Sequence, residues 1–174
     1  MHRFPAILFS MLLVVSSAAV AQRTTVPIID FKGIAVSSPG VAAPTAEQVK
    51  QAILAAALSQ DWDATVQADG SIAASATKDT DHFLAVRVTY DATQYSVAFV
   101  DSKGLRHSPG APPITGSPAY AQLYADAEAK QAARFSTLPE SAFAVKTPGY
   151  IHPAYEAWVR EFIAGIRRRL RALG

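Results

Sequence analysis

The sequence predicts an α+β fold: a four-stranded antiparallel meander with an N-side helix and a C-terminal amphipathic helix packed on one face. Three observations predict it. Between Trp62 and Asp101, four short runs alternate apolar with polar residues and are separated by turn residues such as Asp69-Gly70. Before them, a segment opened by Thr45-Ala46-Glu47-Gln48 carries apolar residues three and four apart. A second segment of that kind, from Tyr155 to Leu173, closes the chain.

The elements follow in order. Met1-His2-Arg3 is a short basic start, and an apolar run with interspersed serines extends from Phe4 to Val20. It ends in Ala19-Val20-Ala21, the small-x-small pattern that signal peptidase reads. The run lacks the roughly 18 uninterrupted apolar residues of a spanning helix. Residues 1–21 are therefore expected to be a cleaved secretory signal, with Gln22 the first mature residue and the periplasm the destination. No transmembrane helix is expected in the mature chain.

Residues 22–44 read as an extended leader with one apolar strand, Val26 to Val36, broken by Ser37-Ser38-Pro39-Gly40 and Pro44. Thr45 and Gln48 are spaced as a capping box, so a helix is expected to Leu58, with Val49, Ile53, Ala56 and Ala57 on one face. Trp62, Ala64, Val66 and Ala68 then alternate with Asp63, Thr65 and Gln67, and Ile72, Ala74 and Ala76 resume the pattern after the hairpin. His82 to Tyr90 and Gln94 to Asp101 complete the meander, with Tyr95, Val97 and Phe99 on one face.

Residues 106–149 hold six of the eleven prolines (109, 112, 113, 118, 139 and 148) and alanine-rich helix material from 118 to 135. They read as an insertion into a single domain spanning 45–174. Tyr120, Leu123, Tyr124 and Ala127 would form the apolar stripe of the inserted helix. In the last helix, over 153–172, His152 sits at a cap position with Pro153 at N1. Tyr155, Trp158, Val159, Phe162, Ile166, Leu170 and Leu173 form its buried stripe.

Composition narrows the function classes. Half of the 174 residues are apolar and 17% are charged, enough for a sizeable core. The chain has no cysteine, which excludes disulfides, thiol nucleophiles, cysteine zinc sites and a lipidated cysteine within it; a lipoprotein is therefore not expected. The formal charge is +2 and Arg3 belongs to the signal, so the mature chain is nearly neutral; with export, this argues against nucleic acid as a partner.

The segment from Trp62 through Arg87-Val88-Thr89-Tyr90-Asp91, Tyr95-Ser96 and Asp101-Ser102-Lys103-Gly104-Leu105 resembles a group of small, uncharacterised bacterial envelope proteins and lipoproteins. The resemblance resumes at Ile151-His152-Pro153-Ala154-Tyr155-Glu156-Ala157-Trp158-Val159. It implies a helix, a four-stranded meander and a closing helix behind a signal, in the periplasm, and it implies no activity. The chain departs from the group near Gly104 and at Glu156, where asparagines are typical, and in its long 106–149 stretch.

Candidate sites are few. His82, His107 and His152, with Asp79, Asp81, Asp91 and Asp101, are the acid–base and metal-ligating residues, but no HxxxH or HExxH spacing brings them together. No glycine-rich phosphate loop or G-x-S-x-G elbow occurs, and no cofactor or metal is implied. Asp101, Ser102, Lys103 and Gly104 form a candidate binding turn, since loops carry function disproportionately. Arg167, Arg168, Arg169 and Arg171 form a candidate patch for an anionic lipid surface, although basic residues also belong at a helix C-terminus.

The expectation is a non-enzymatic envelope module that binds a protein partner or has a structural role. A sheet covered on one face leaves Asp63, Thr65 and Gln67 on the other. One alternative is a small periplasmic hydrolase or metal-dependent enzyme using His107, or His152 with Asp101, near the 106–149 excursion. Another is an anionic membrane-surface binder acting through the C-terminal arginines.

Overall fold

The computed structural model describes residues 24–36, 43–110, 118–136 and 142–173. The expected signal at 1–21 and parts of the 106–149 stretch lie outside these residues. The described chain runs β1 (Val26–Ala35), α1 (Ala46–Leu58), β2 (Asp63–Val66), β3 (Ile72–Lys78), β4 (His82–Tyr90), β5 (Gln94–Lys103), α2 (Pro118–Ser136), β6 (Ala144–Ile151) and α3 (Ala154–Arg171). The fold is α+β. The β2–β5 meander is present, with α1 and α3 packed against it.

The sheet nevertheless has six strands, in the order β2-β3-β4-β5-β1-β6, all neighbours antiparallel. Two strands therefore join the four expected. The apolar run read as part of a leader lies between β5 and β6, with Phe31 opposite Val97 and Val26 opposite Ile151. Six consecutive residues, Val26 to Phe31, are buried. Because successive strand side chains point to opposite faces, such a run requires cover on both sides. β3 and β4 behave differently: Ile72, Ala74 and Ala76, and Leu84, Val86 and Val88, are buried, whereas Ala73, Thr77, Arg87 and Thr89 are exposed. That part of the sheet has one covered face and one solvated face.

β6 escapes a pattern-based reading because Lys146, Pro148 and Gly149 interrupt its alternation. The β1–β6 register shifts between Thr147 and Tyr150, which accommodates the exposed Pro148 on an edge strand.

Helix α1 is capped as the sequence predicts: Thr45 Oγ1 accepts from Gln48 N at 3.2 Å, and Gln48 Oε1 accepts from Thr45 N at 2.8 Å. Trp62 stacks on Phe162 of α3, with ring centroids 4.7 Å apart. The Gln60 amide lies over Gly165 of α3, in space that a side chain there would otherwise take. Tyr155, Val159, Phe162, Ile166 and Leu170 are buried along α3, with Trp158 half-buried and Leu173 exposed. Among the described residues, no helix is long and apolar enough to cross a membrane.

Candidate functional site

A partly enclosed polar site lies where α2, the start of β1 and the first turn of α3 meet. Among the described side chains of α2, Tyr124 and Gln131 are buried; they are seven residues apart and so share a face. Leu123 and Ala127 are half-buried beside them, while the side chain of Tyr120 lies outside the described set. Gln131 Nε2 donates to Pro27 O at 3.3 Å and to Glu156 Oε2 at 3.2 Å. Glu156 is only 2% exposed. Its carboxylate sits in the first turn of α3, where the helix dipole favours negative charge, and its Oε1 accepts from Arg160 one turn on at 3.2 Å. These partners offset the cost of burying the charge.

Beside this network lies a cleft of about 230 Å³. Val26, Leu123, Ala127 and Pro153 supply its apolar lining, and Thr24, Asp126, Lys130, Gln131 and Glu156 its polar lining. On the other flank of α2, Glu128 accepts from Tyr150 Oη at 3.1 Å and pairs with Lys146 at 3.5 Å. Burial, with the Glu128 carboxylate beside it, pushes the Tyr150 phenol above its ordinary range.

A second cluster gathers histidines at the start of α3. His152 Nδ1 accepts from Ala154 N at 3.2 Å, and His152 N donates to Leu105 O at 2.8 Å. Pro153, which has no capping side chain, is the formal N-cap, so the His152 ring supplies the acceptor one position earlier. Burial, then Arg106 and His82 nearby, hold His152 below the ordinary histidine value. His82 meets Trp158 edge-on at 6.5 Å, and His107 lies against Phe99 at 4.8 Å. Asp101, by contrast, is exposed and its Oδ1 accepts from Ser102 N. Among the described residues no group of three or more His, Asp or Glu side chains is placed to hold a metal ion.

The residues read as a binding turn are mostly strand. Asp101, Ser102 and Lys103 are the last residues of β5, opposite Ala85, Leu84 and Phe83. Ser102 shares the side of buried Leu84, and its Oγ is buried without a hydrogen-bond partner among the described residues. Asp101 and Lys103 project from the opposite, solvated side. Gly104 makes the turn itself, with φ +77°, passing so close to the Asp81 carbonyl oxygen that no side chain fits.

Asp63 and Thr65, opposite Ser75 and Ala73, lie on the solvated face; Gln67, exposed, lies just beyond β2. A bulge between β4 and β5 leaves Val100 unpaired, because Val86 faces Phe99 while Ala85 faces Asp101. Val100 is 52% exposed. Of the C-terminal arginines, Arg168, Arg169 and Arg171 are exposed and Arg167 is half-buried.

Sequence reasoning missed Gln131, Lys130 and Asp126, which look like ordinary polar positions of an alanine-rich helix. In the sequence Glu156 stands out only as a departure from asparagine, though its spacing to Arg160 fits an i,i+4 ion pair. No family model, curated protein or solved structure matches the chain.

Proposed function

We propose that the chain is an exported envelope protein that acts as a non-enzymatic binding module and holds a protein partner on the solvated face of the meander. One observation carries this reading: the bulge at Val100 puts a large apolar side chain into water on β5, next to Asp101. Bulges commonly re-aim a side chain for use. The surrounding face is built of small and mixed-charge residues, including Ala73, Ser75, Arg87, Thr89 and Lys103. The small side chains let a partner's surface approach closely, charges of both signs can pair across it, and Val100 supplies an apolar anchor.

Photo-crosslinking in the producing cell tests it. A crosslinking residue placed at Thr89 or Val100 is expected to yield a discrete heavier adduct, and one placed at Gln51 or Glu161, on the exposed sides of α1 and α3, is expected to yield none. Adducts from all four positions, or from none, overturn the reading.

A further inference from the structure

We infer that the cleft between α2, the start of β1 and the first turn of α3 binds a small zwitterion with an apolar body, the chemistry of a free apolar α-amino acid. At about 230 Å³ the cleft lies below the ~300–1,000 Å³ of pockets that enclose drug-sized molecules, which sets the ligand at the size of a small metabolite. Its polar wall is built rather than incidental. Gln131 and Glu156, 5% and 2% exposed, line it and are fixed by each other and by Pro27 and Arg160.

Gln131 spends its nitrogen on those bonds, and its Oε1 takes no hydrogen bond among the described residues. That leaves an acceptor at the cleft. Asp126 and Glu156 add carboxylate oxygens, so one side of the lining suits an ammonium group. Lys130 stands one turn from Asp126 on the same helix, yet it forms an ion pair neither with Asp126 nor with any other described residue. It is placed to receive a carboxylate. Val26, Leu123, Ala127 and Pro153 offer apolar contact for the side chain that the charged α-carbon bears. A ligand bearing one charge alone would use only one side of the lining, because Lys130 stands apart from the Asp126 and Glu156 oxygens as an ion-pair partner. The zwitterion satisfies both.

Isothermal titration of the purified protein with L-leucine, and separately with N-acetyl-L-leucine amide, tests the assignment. L-leucine is expected to bind saturably, and the blocked compound, with the same side chain and neither charge, at least tenfold more weakly. Asp126 and Lys130 are exposed, so Asp126→Asn and Lys130→Gln should leave thermal unfolding unchanged while each weakens L-leucine binding about tenfold. No saturable binding of L-leucine at millimolar concentration overturns the inference. So does equal binding of the blocked compound, or binding undiminished in either variant. Neither result bears on the Thr89 and Val100 crosslinks, which report a different face.

Discussion

Gln131 in α2 and Glu156 in α3 meet through a 3.2 Å hydrogen bond between two side chains that are both almost wholly buried. The bond ties the inserted helix to the closing helix, and the same Gln131 nitrogen ties both to β1 through Pro27 O. Glu156→Ala removes the carboxylate that Arg160 and Gln131 share, while Gln131 keeps its bond to Pro27 O. The guanidinium left behind is partly exposed, so the expectation from urea denaturation is a loss of about 1–3 kcal/mol of unfolding free energy. Glu156→Gln, which keeps an acceptor, is expected to cost less. Equal stability of Glu156→Ala and the parent would show that the network carries no net energy.

Gly104 is the second test point. Its φ of +77° and its approach to the Asp81 carbonyl leave no room for a methyl group. Gly104→Ala is expected to lower stability by about 2 kcal/mol or more, from left-handed strain and from displacement of the β3–β4 turn. The same change at Gly110, where the space is open, should be nearly silent. Thermal unfolding of the two variants side by side makes the comparison.

Asp30 sits within the apolar run of β1, is 5% exposed, and its Oδ1 accepts from Phe99 N at 2.9 Å. The carboxylate takes a backbone donor at the point where β5 bulges. Asp30→Ala would leave that amide without its acceptor, at a cost of about 1–3 kcal/mol. Asp30→Asn retains a carbonyl oxygen and should recover most of the loss. Hydrogen exchange at the Phe99 amide is the direct readout: fast in Asp30→Ala, slow in Asp30→Asn.

His152 makes stability depend on pH in a definite direction. Its folded value is lowered, by burial first and then by Arg106 and His82, while the unfolded chain titrates near the ordinary ~6.5. The folded state therefore binds fewer protons, and stability falls as pH drops below about 6.5 towards the folded value. Above about 6.5 both states are neutral at this position and it adds no slope. Protonation also removes the acceptor that Nδ1 offers Ala154 N. His152→Asn keeps an acceptor and does not titrate, so its stability should fall less between about pH 7 and pH 5 than the parent's. Identical slopes would remove His152 from the account.

The meander and its two helices were legible because their signals are local. Alternation in Ile72–Lys78 and His82–Tyr90, the Asp69-Gly70 turn and the Thr45–Gln48 box all act over a few residues, and each strand pairs with the next. β1 offered an equally clear apolar run but no sign of its neighbours, because its register partners near Val97 and Thr147 are far along the chain. β6 hid behind Lys146 and Pro148-Gly149, whose tolerance depends on an edge position that only the assembled sheet reveals. The cleft was less legible still. Gln131 and Glu156 become buried only because α2 docks beside α3, and nothing in the alanine-rich pattern of 118–135 specifies that docking.

The place of β1 sets the order of synthesis against the order of assembly. The first strand among the described residues is an interior one, and its two neighbours are the last strand of the meander and the strand that precedes the closing helix. Helix α1 and strands β2–β5 meet through short-range contacts and can organise while β1 is still single. Six of its residues stay without their final cover until 144–171 have left the ribosome. A nascent chain stopped before Ala144 would thus carry the apolar stretch Val26–Phe31 with one pairing edge open, the state most prone to recruit a second chain.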